Sequence, residues 1–274
     1  MEKRPIAYQL YSAREDAEKD LLGVLKQIAA MGYDGVEFAG FYGHAATDIR
    51  RMLDETGLQA VSSHVPFAMI ENDMFGVIAY HQQVGCAYIA VPYLDEETRP
   101  GAPGFARTLA AIAKFGALCQ EAGILLLYHN HDFEFCQVSG QYGLDFLYDA
   151  IPADILQTEM DVCWIKYAGL DPVEYLPKYA GRCPVVHLKD YVGRIDGRSP
   201  YALIGIDENK RKDESTAFEF RPFGYGSQDA KAVVETAIQC GAKWFVVEQD
   251  MSVGRTPLEA AEMSMGTLKK IGCK

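Results

Sequence analysis

The sequence predicts one α/β domain folded as a (β/α)8 barrel, the TIM-barrel architecture, with a β-hairpin excursion between strand seven and helix seven. Three observations carry that prediction. Short apolar runs alternate strictly with segments of helical periodicity, eight of each along 274 residues. The helix-to-strand links are short and carry glycine, as in MGYDG, TGLQ, VGCAY, AGILL and CGAKW. The strand-to-helix links are longer and polar, which marks the C-terminal ends of the strands as the working face.

Residues 6–11 read as the first strand. Residues 16–31 follow with Leu21, Leu22, Leu25, Ile28 and Ala29 at helical spacing, and Gly32 closes the helix. Residues 35–38 form strand two, and 47–56 a helix closed by Gly57. Strand three is 58–64, the next helix 73–84 with Gly85 after it, and strand four 88–91. A long helix spans 105–122, before Gly123. Strand five is 124–129, helix five 144–150 and strand six 155–161. Residues 172–179 read as a helix with Asp171 as N-cap and Pro172 in its first turn. Strand seven is 185–188, the helix after it 230–240, and strand eight 244–248. Thr256 caps the last helix, 257–271. Right-handed βα units in that number close into a barrel of about 250 residues. No linker or low-complexity stretch divides the chain, so residues 1–274 read as a single domain. Between residues 191 and 229 the connection is far longer than the others. Residues 201–206 and 216–221 look extended and flank the charged tip DENKRKDES, which predicts the hairpin. Tyr201, Phe218, Phe220 and Phe223 beside it are candidates to pack on a neighbouring subunit.

Composition narrows the function. With 49% apolar residues the chain can bury a sizeable core, and its net charge is -12. An acidic chain lacks the electrostatic footprint of a phosphate-backbone binder and has no general attraction for anionic lipid, so neither nucleic acid nor membrane is an expected partner. Seven cysteines at irregular spacing, without a CxxC, read as buried reduced thiols. The N-terminus has no signal-peptide core and no apolar run spans a bilayer, so the expected location is cytoplasmic.

Histidines and carboxylates stand at or just past the ends of the apolar runs: Glu37, His64, His129, His131, Glu159, Asp161, His187 and Glu248. If the runs are parallel strands of one barrel, these side chains converge at one mouth, and histidine gathered with carboxylate is the composition of a divalent-metal site. Side chains alternate along a strand, so His187 shares its face with Val185 and Lys189. Likewise Asp161 goes with Glu159 and Gln157, His129 with Leu127 and His131, and Glu248 with Val246. Ligand candidates are His129, Asp161, His187 and Glu248. Glu248, His129, Lys189 and Glu37 are the candidates for acid/base catalysis. His64, His131, Trp164 and Glu159 are candidates for substrate binding. Tyr8, Phe38, Phe67 and Tyr93 join Trp164 as possible walls for a sugar ring, Glu134 reads as a solvated loop residue, and Gly224-Tyr225-Gly226 as a turn or a set of N–H groups facing an anion.

The segments Gly35-Val36-Glu37, Ser63-His64-Val65-Pro66, Asn130-His131, Met160-Asp161, Val186-His187-Leu188-Lys189-Asp190, Phe223-Gly224-Tyr225-Gly226 and Val247-Glu248, in this order, resemble the sugar phosphate isomerase/epimerase superfamily with a xylose-isomerase-like barrel. The resemblance covers essentially the whole chain. It implies one Mn, Co, Zn or Mg ion held by a Glu, Asp, His, Glu quartet from strands five to eight, and proton transfer next to a carbonyl of a sugar or polyol. Asp161, His187 and Glu248 match three positions. At the fourth the family reads Glu-Asn-His and this chain reads His129-Asn130-His131. Where epimerase-like members carry a histidine three residues after the aspartate, this chain has Trp164. Histidines at strand five resemble the inosose-dehydratase branch, so a lyase acting on a keto-inositol or 3-keto sugar is an alternative to isomerisation or epimerisation. A non-catalytic sugar-binding barrel is the reading from another class. Endonuclease relatives use more metal ligands and a basic surface, which this chain lacks. Homo-oligomers are common among such barrels and are expected here.

Overall fold

Residues 1–193 and 218–274 are described by a computed structural model. Eight parallel strands close into a barrel: β1 (Ile6–Gln9), β2 (Gly35–Ala39), β3 (Gln59–His64), β4 (Tyr88–Val91), β5 (Leu125–His129), β6 (Leu156–Asp161), β7 (Val185–Leu188) and β8 (Trp244–Val247). Each strand pairs with its neighbours in sequence, and β1 closes on β8, so the predicted fold is the observed one. The helices are α1 (Arg14–Met31), α2 (Ala46–Thr56), α3 (Phe67–Asn72), α4 (Met74–Val84), α5 (Phe105–Glu121), α6 (Gly143–Ala150), α7 (Val162–Tyr167), α8 (Pro172–Tyr175), α9 (Ala230–Gln239) and α10 (Pro257–Lys270).

Local chemistry accounts for the ends of these elements. Gly32 takes φ of 98° at the end of α1, where its N–H reaches the Ala29 and Ile28 carbonyls. Only glycine adopts that conformation without strain. Inside α1, Asp20 leaves helical geometry and its carboxylate accepts from the Gly23 N–H at 2.9 Å, so the helix restarts there on a new cap. Thr256 and Glu259 form the reciprocal cap of α10, and Asp171 accepts from the Val173 N–H ahead of Pro172, both as expected. The first strand is shorter than predicted. Gln9 accepts from the Tyr11 N–H at 3.0 Å and turns the chain into a 3-10 turn at Leu10–Ala13. The predicted helix over 172–179 is a short α8 continued as a 3-10 turn, Leu176–Tyr179. Helices α3 and α7 and the small hairpin of Gln137–Val138 with Gln141–Tyr142 are additions that short, mixed sequences did not announce.

Among the described residues the apolar side chains form one large core and two small ones. The large core lies between strands and helices and includes Tyr8, Phe38 and Phe67, which removes these three from the candidate sugar walls. Inside the barrel Ala7, Val61, Ala90, Leu127, Val185 and Val246 form a compact apolar layer. The predicted parity therefore holds: Leu127, Val185 and Val246 lie two residues below His129, His187 and Glu248 on the inward face. Above strand seven, Asp190–Val192 pairs antiparallel with Glu219–Arg221. The return arm of the excursion is thus a strand, whereas the arm predicted at 201–206 and the charged tip lie outside the described residues. Phe218, Phe220 and Phe223 are buried at 3%, 0% and 1% exposure. The first two pack with Cys163, Trp164, Tyr167 and Tyr191 of the same chain, which corrects the expectation that they face a neighbour. Among the described residues no helix is long and apolar enough to cross a membrane.

Candidate active site

Barrel stagger sets which strand-end residues meet. His129 is the ladder partner of Glu159, and Asp161 of His187. Between β2 and β3 the register shifts by one residue after Val36, which sets Ser62 opposite Glu37. The results are two overlapping groups of buried ligand atoms, each within 4.8 Å of one another: His129, Asp161, His187 and Glu248, and His64, His129, Glu159 and His187.

The first group is the predicted quartet, one residue from each of strands five, six and seven and one just past strand eight. Asp161 is fully buried. Its Oδ1 accepts from the Cys163 and Trp164 N–H groups at 2.7 and 3.3 Å and so caps α7. Its Oδ2 has no hydrogen-bond partner and lies 3.7 Å from His129 Nε2 and 3.6 Å from Lys189 Nζ. Burial pushes the Asp161 carboxyl up to about 7, against the pull of Lys189. Glu248 Oε2 lies 3.0 Å from His187 Nδ1 and 3.1 Å from Lys189 Nζ. Burial opposes its charge, but Lys189 and then His187 outweigh burial and hold it well below the usual carboxylate range. Burial first, and His187 second, hold the His129 imidazole neutral, well below the ordinary histidine value.

Lys189 is only 1% exposed, so it is no solvated loop residue. Its ammonium is 2.6 Å from Asp250 Oδ1, 3.1 Å from Glu248 and 5.1 Å from the Trp164 ring. Burial disfavours the charge, but Asp250, Glu248 and Asp161 together keep it protonated. Asp250 was not foreseen. It follows Glu248 by two residues on the same inward parity, a signal available by extending the alternation past the end of β8.

The second group lies against Glu37. Glu37 takes hydrogen bonds from the Gln9 and Ser62 side chains. His64 Nε2 is 3.1 Å from Glu37 Oε1 and 2.7 Å from Glu159 Oε2. Burial alone would lower the His64 pKa, yet Glu37 and Glu159 push it up to about 10. His187 Nε2 is 2.8 Å from Glu37 Oε1, an ion-pair contact without hydrogen-bond geometry.

A cavity of about 330 Å³ opens at the mouth, lined by His64, His129, His131, Lys189, Glu248 and Asp250 with Tyr11, Pro66, Met69 and Tyr93. That volume suits a small ligand. Glu37, Glu159 and Trp164 are fully buried and are not among its lining residues. Glu37, expected among the catalytic groups, instead holds His64 and His187. Trp164, expected to touch substrate, packs 5.3 Å from the His131 ring and beneath Lys189, because α7 begins immediately after Asp161 and turns the indole away from the mouth. Glu134, expected in solvent, is fully buried, accepts from Tyr128 Oη at 2.6 Å and from the His131 N–H at 2.8 Å, and is pushed by burial up to about 8. The N–H groups around Gly224-Tyr225-Gly226 do face an anion: the Asp190 carboxylate of the same chain, which accepts from Tyr191, Gly224, Gly226, Ser227 and Gln228. A side chain at position 226 would collide with that carboxylate.

The quartet's donors fit a divalent cation: two imidazoles and two carboxylates, borderline and hard, with the orphaned Asp161 Oδ2 among them.

Residues 25–271 match the family model of the xylose isomerase-like TIM barrel. Curated proteins yielded no match. Among solved structures, a sugar phosphate isomerase/epimerase from Parabacteroides distasonis superposes with a TM-score of 0.77 at 22% identity, covering 98% of this chain and 94% of that one. The probable 3-DHS dehydratase AsbF from Bacillus anthracis gives 0.74 at 11% identity over 98% and 99% of the chains. The IolI protein with a bound zinc atom gives 0.72 at 14% identity over 97% of both chains. At these identities the likeness is one of fold. The family match spans nearly the whole barrel, and the chain belongs to the xylose isomerase-like TIM barrel family.

Proposed function

We propose that this protein is a divalent-metal-dependent isomerase or epimerase of a small sugar or polyol, acting by proton transfer next to a carbonyl. The observation that carries the reading is the convergence of His129, Asp161, His187 and Glu248 beside a small cavity that also holds Lys189. A bound cation would polarise the substrate carbonyl and make the neighbouring C–H more acidic. The chain's own groups supply the rest. Glu248, ionised at neutral pH, is the base beside the carbon. Lys189, protonated and hydrogen-bonded to Glu248, presents an ammonium to the developing oxyanion. Neutral His129 offers a nitrogen lone pair as ligand where relatives carry a carboxylate. His64, His131 and Tyr93 line the cavity and orient hydroxyls.

His129 also favours a second reading. With an imidazole in place of a glutamate, the site has one carboxylate fewer to return a proton to the adjacent carbon. Loss of water from a β-hydroxy ketone needs one abstraction and one protonated leaving group, which Glu248 and Lys189 suffice to provide. Turnover is tested on a panel of keto-sugars and keto-inositols, following isomer formation and alkene absorbance separately. Glu248→Gln should abolish either activity while circular dichroism stays unchanged. Full activity in that variant sinks both readings, and absence of turnover on every substrate favours a sugar-binding barrel.

A further inference from the structure

Beside the mouth lies a second hollow, of about 520 Å³, between the loop after β2 and helix α4. It shares Gly40, His64, Pro66 and Met69 with the mouth cavity, so the two spaces adjoin. At that boundary Gly40 has φ of 80°, and a Cβ placed there would meet no atom within 4 Å, so the passage is open. Met69, 56% exposed, is a flexible lip to both spaces.

The walls of the hollow are aromatic and apolar. The Phe41 ring lies 4.6 Å from the Tyr80 ring and 5.2 Å from that of His81, centroid to centroid, with Val65 and Val77 alongside. Tyr80 Oη donates to the His44 carbonyl at 2.6 Å and ties α4 to the loop after β2. Among the described residues neither lysine nor arginine lines the hollow. Asp73 is engaged as the cap of α4, accepting from the Gly76 N–H at 2.8 Å, and His64 is paired with Glu37 and Glu159. The space therefore suits a neutral group. Two of its polar side chains lack a partner. Ser63 is 0% and His81 4% exposed, both line the hollow, and Ser63 Oγ and His81 Nε2 have no hydrogen-bond partner. Buried polar atoms left so are costly. His81 Nδ1 lies 2.6 Å from the Val77 carbonyl, which can only accept, so Nδ1 carries a hydrogen. Burial lowers the His81 pKa and keeps the ring neutral, which leaves Nε2 as an acceptor. Apolar rings with one fixed acceptor and one hydroxyl match an aromatic ring that bears a hydroxyl.

Building on the sugar reading of the mouth, we propose that this hollow takes a hydroxylated aromatic ring joined to the sugar, so that the substrate is an aryl glycoside rather than a free monosaccharide. The sugar unit fills the cavity beside His129 and Glu248, the link passes Gly40 and Met69, and the ring lies against Phe41 and Tyr80. Once the sugar is bound, docking of the ring is intramolecular, so the joined molecule binds more tightly than either part.

Isothermal titration of the full chain with phenol and with methyl and 4-hydroxyphenyl β-D-glucopyranosides tests this. Phenol should bind, and the aryl glycoside should bind about tenfold or more tighter than phenol or the methyl glycoside. Val77→Trp fills the hollow; it should abolish phenol binding and bring the aryl glycoside down to the methyl one. Ser63→Ala should weaken the aryl glycoside about three- to tenfold. No binding of phenol to wild type overturns the ring site. An aryl glycoside no tighter than the methyl one, or a preference that survives Val77→Trp, overturns the joined substrate. Should Val77→Trp fail to fold, a wild-type crystal soaked with the aryl glycoside decides: a ring against Phe41 and Tyr80 upholds the proposal, and a ring elsewhere or none refutes it. If the binding pattern holds while no keto-sugar is turned over, the isomerase reading fails and the ring site stands.

Discussion

Asp161→Asn separates what the candidate centre costs the fold from what it does for a metal. The substitution keeps Oδ1, which accepts from the Cys163 and Trp164 N–H groups and caps α7. It removes the charge at Oδ2, which has no hydrogen-bond partner. Burial pushes the Asp161 carboxyl from its ordinary 3.8 up to about 7, so the folded state holds that proton more tightly than the unfolded state does. The consequence for stability is absent below pH 3.8, grows as pH rises, and is complete above about 7. Over that interval the cost amounts to roughly 4 kcal/mol, an upper figure. Asparagine has no such proton, and its amide donors face Lys189 and His129 at some cost. Metal-free Asp161→Asn should therefore be more stable than metal-free wild type by about 2–4 kcal/mol near pH 8, with the gap closing near pH 5. Metal reverses the order. A cation at 100 times its Kd stabilises the folded protein by about 2.7 kcal/mol, and a variant lacking a charged ligand receives much less. Urea unfolding with chelator and with excess zinc, at both pH values, measures all four quantities. A metal-free variant less stable than wild type at pH 8, or an equal gain from zinc in both proteins, refutes the reasoning.

Three further outcomes follow from particular contacts. Asp190→Ala strands five backbone N–H groups and should cost about 3–5 kcal/mol in urea unfolding, with Asp190→Asn intermediate because one acceptor oxygen remains. Burial raises the Glu134 carboxyl from 4.5 to about 8, so wild-type stability is lost as pH climbs through that range. Glu134→Gln lacks the proton, and wild type should lose about 3 kcal/mol relative to it between about pH 6 and pH 9, read from unfolding free energies. Lys189→Met leaves Asp250, Glu248 and Asp161 without their cation and should destabilise the metal-free protein by about 3–5 kcal/mol while eliminating turnover. Unchanged stability in that variant would show that the three carboxylates share protons instead.

Much of the barrel and its quartet was legible because both rest on local patterns. Eight alternations, glycine at the helix ends and strand parity each depend on a few neighbouring residues. Parity alone put Val185, His187 and Lys189 on one face, and Leu127 and His129 on another, as the structure has them. Parity does not say how far a face extends, so it does not reach Asp250, nor which aromatic turns outward, so it does not exclude Tyr8 and Phe38 as walls. Local patterning is enough to specify the barrel and the strand-end His/Asp/Glu set. Tertiary structure decided the rest: that Glu37 and Glu159 lie beneath the mouth, that Glu134 is buried under Tyr128, and that Asp190 is the anion for the Gly224-Tyr225-Gly226 loop. The physical reason is the stagger of a closed barrel. It displaces each strand relative to the next by amounts no single strand encodes, and so chooses which side chains meet.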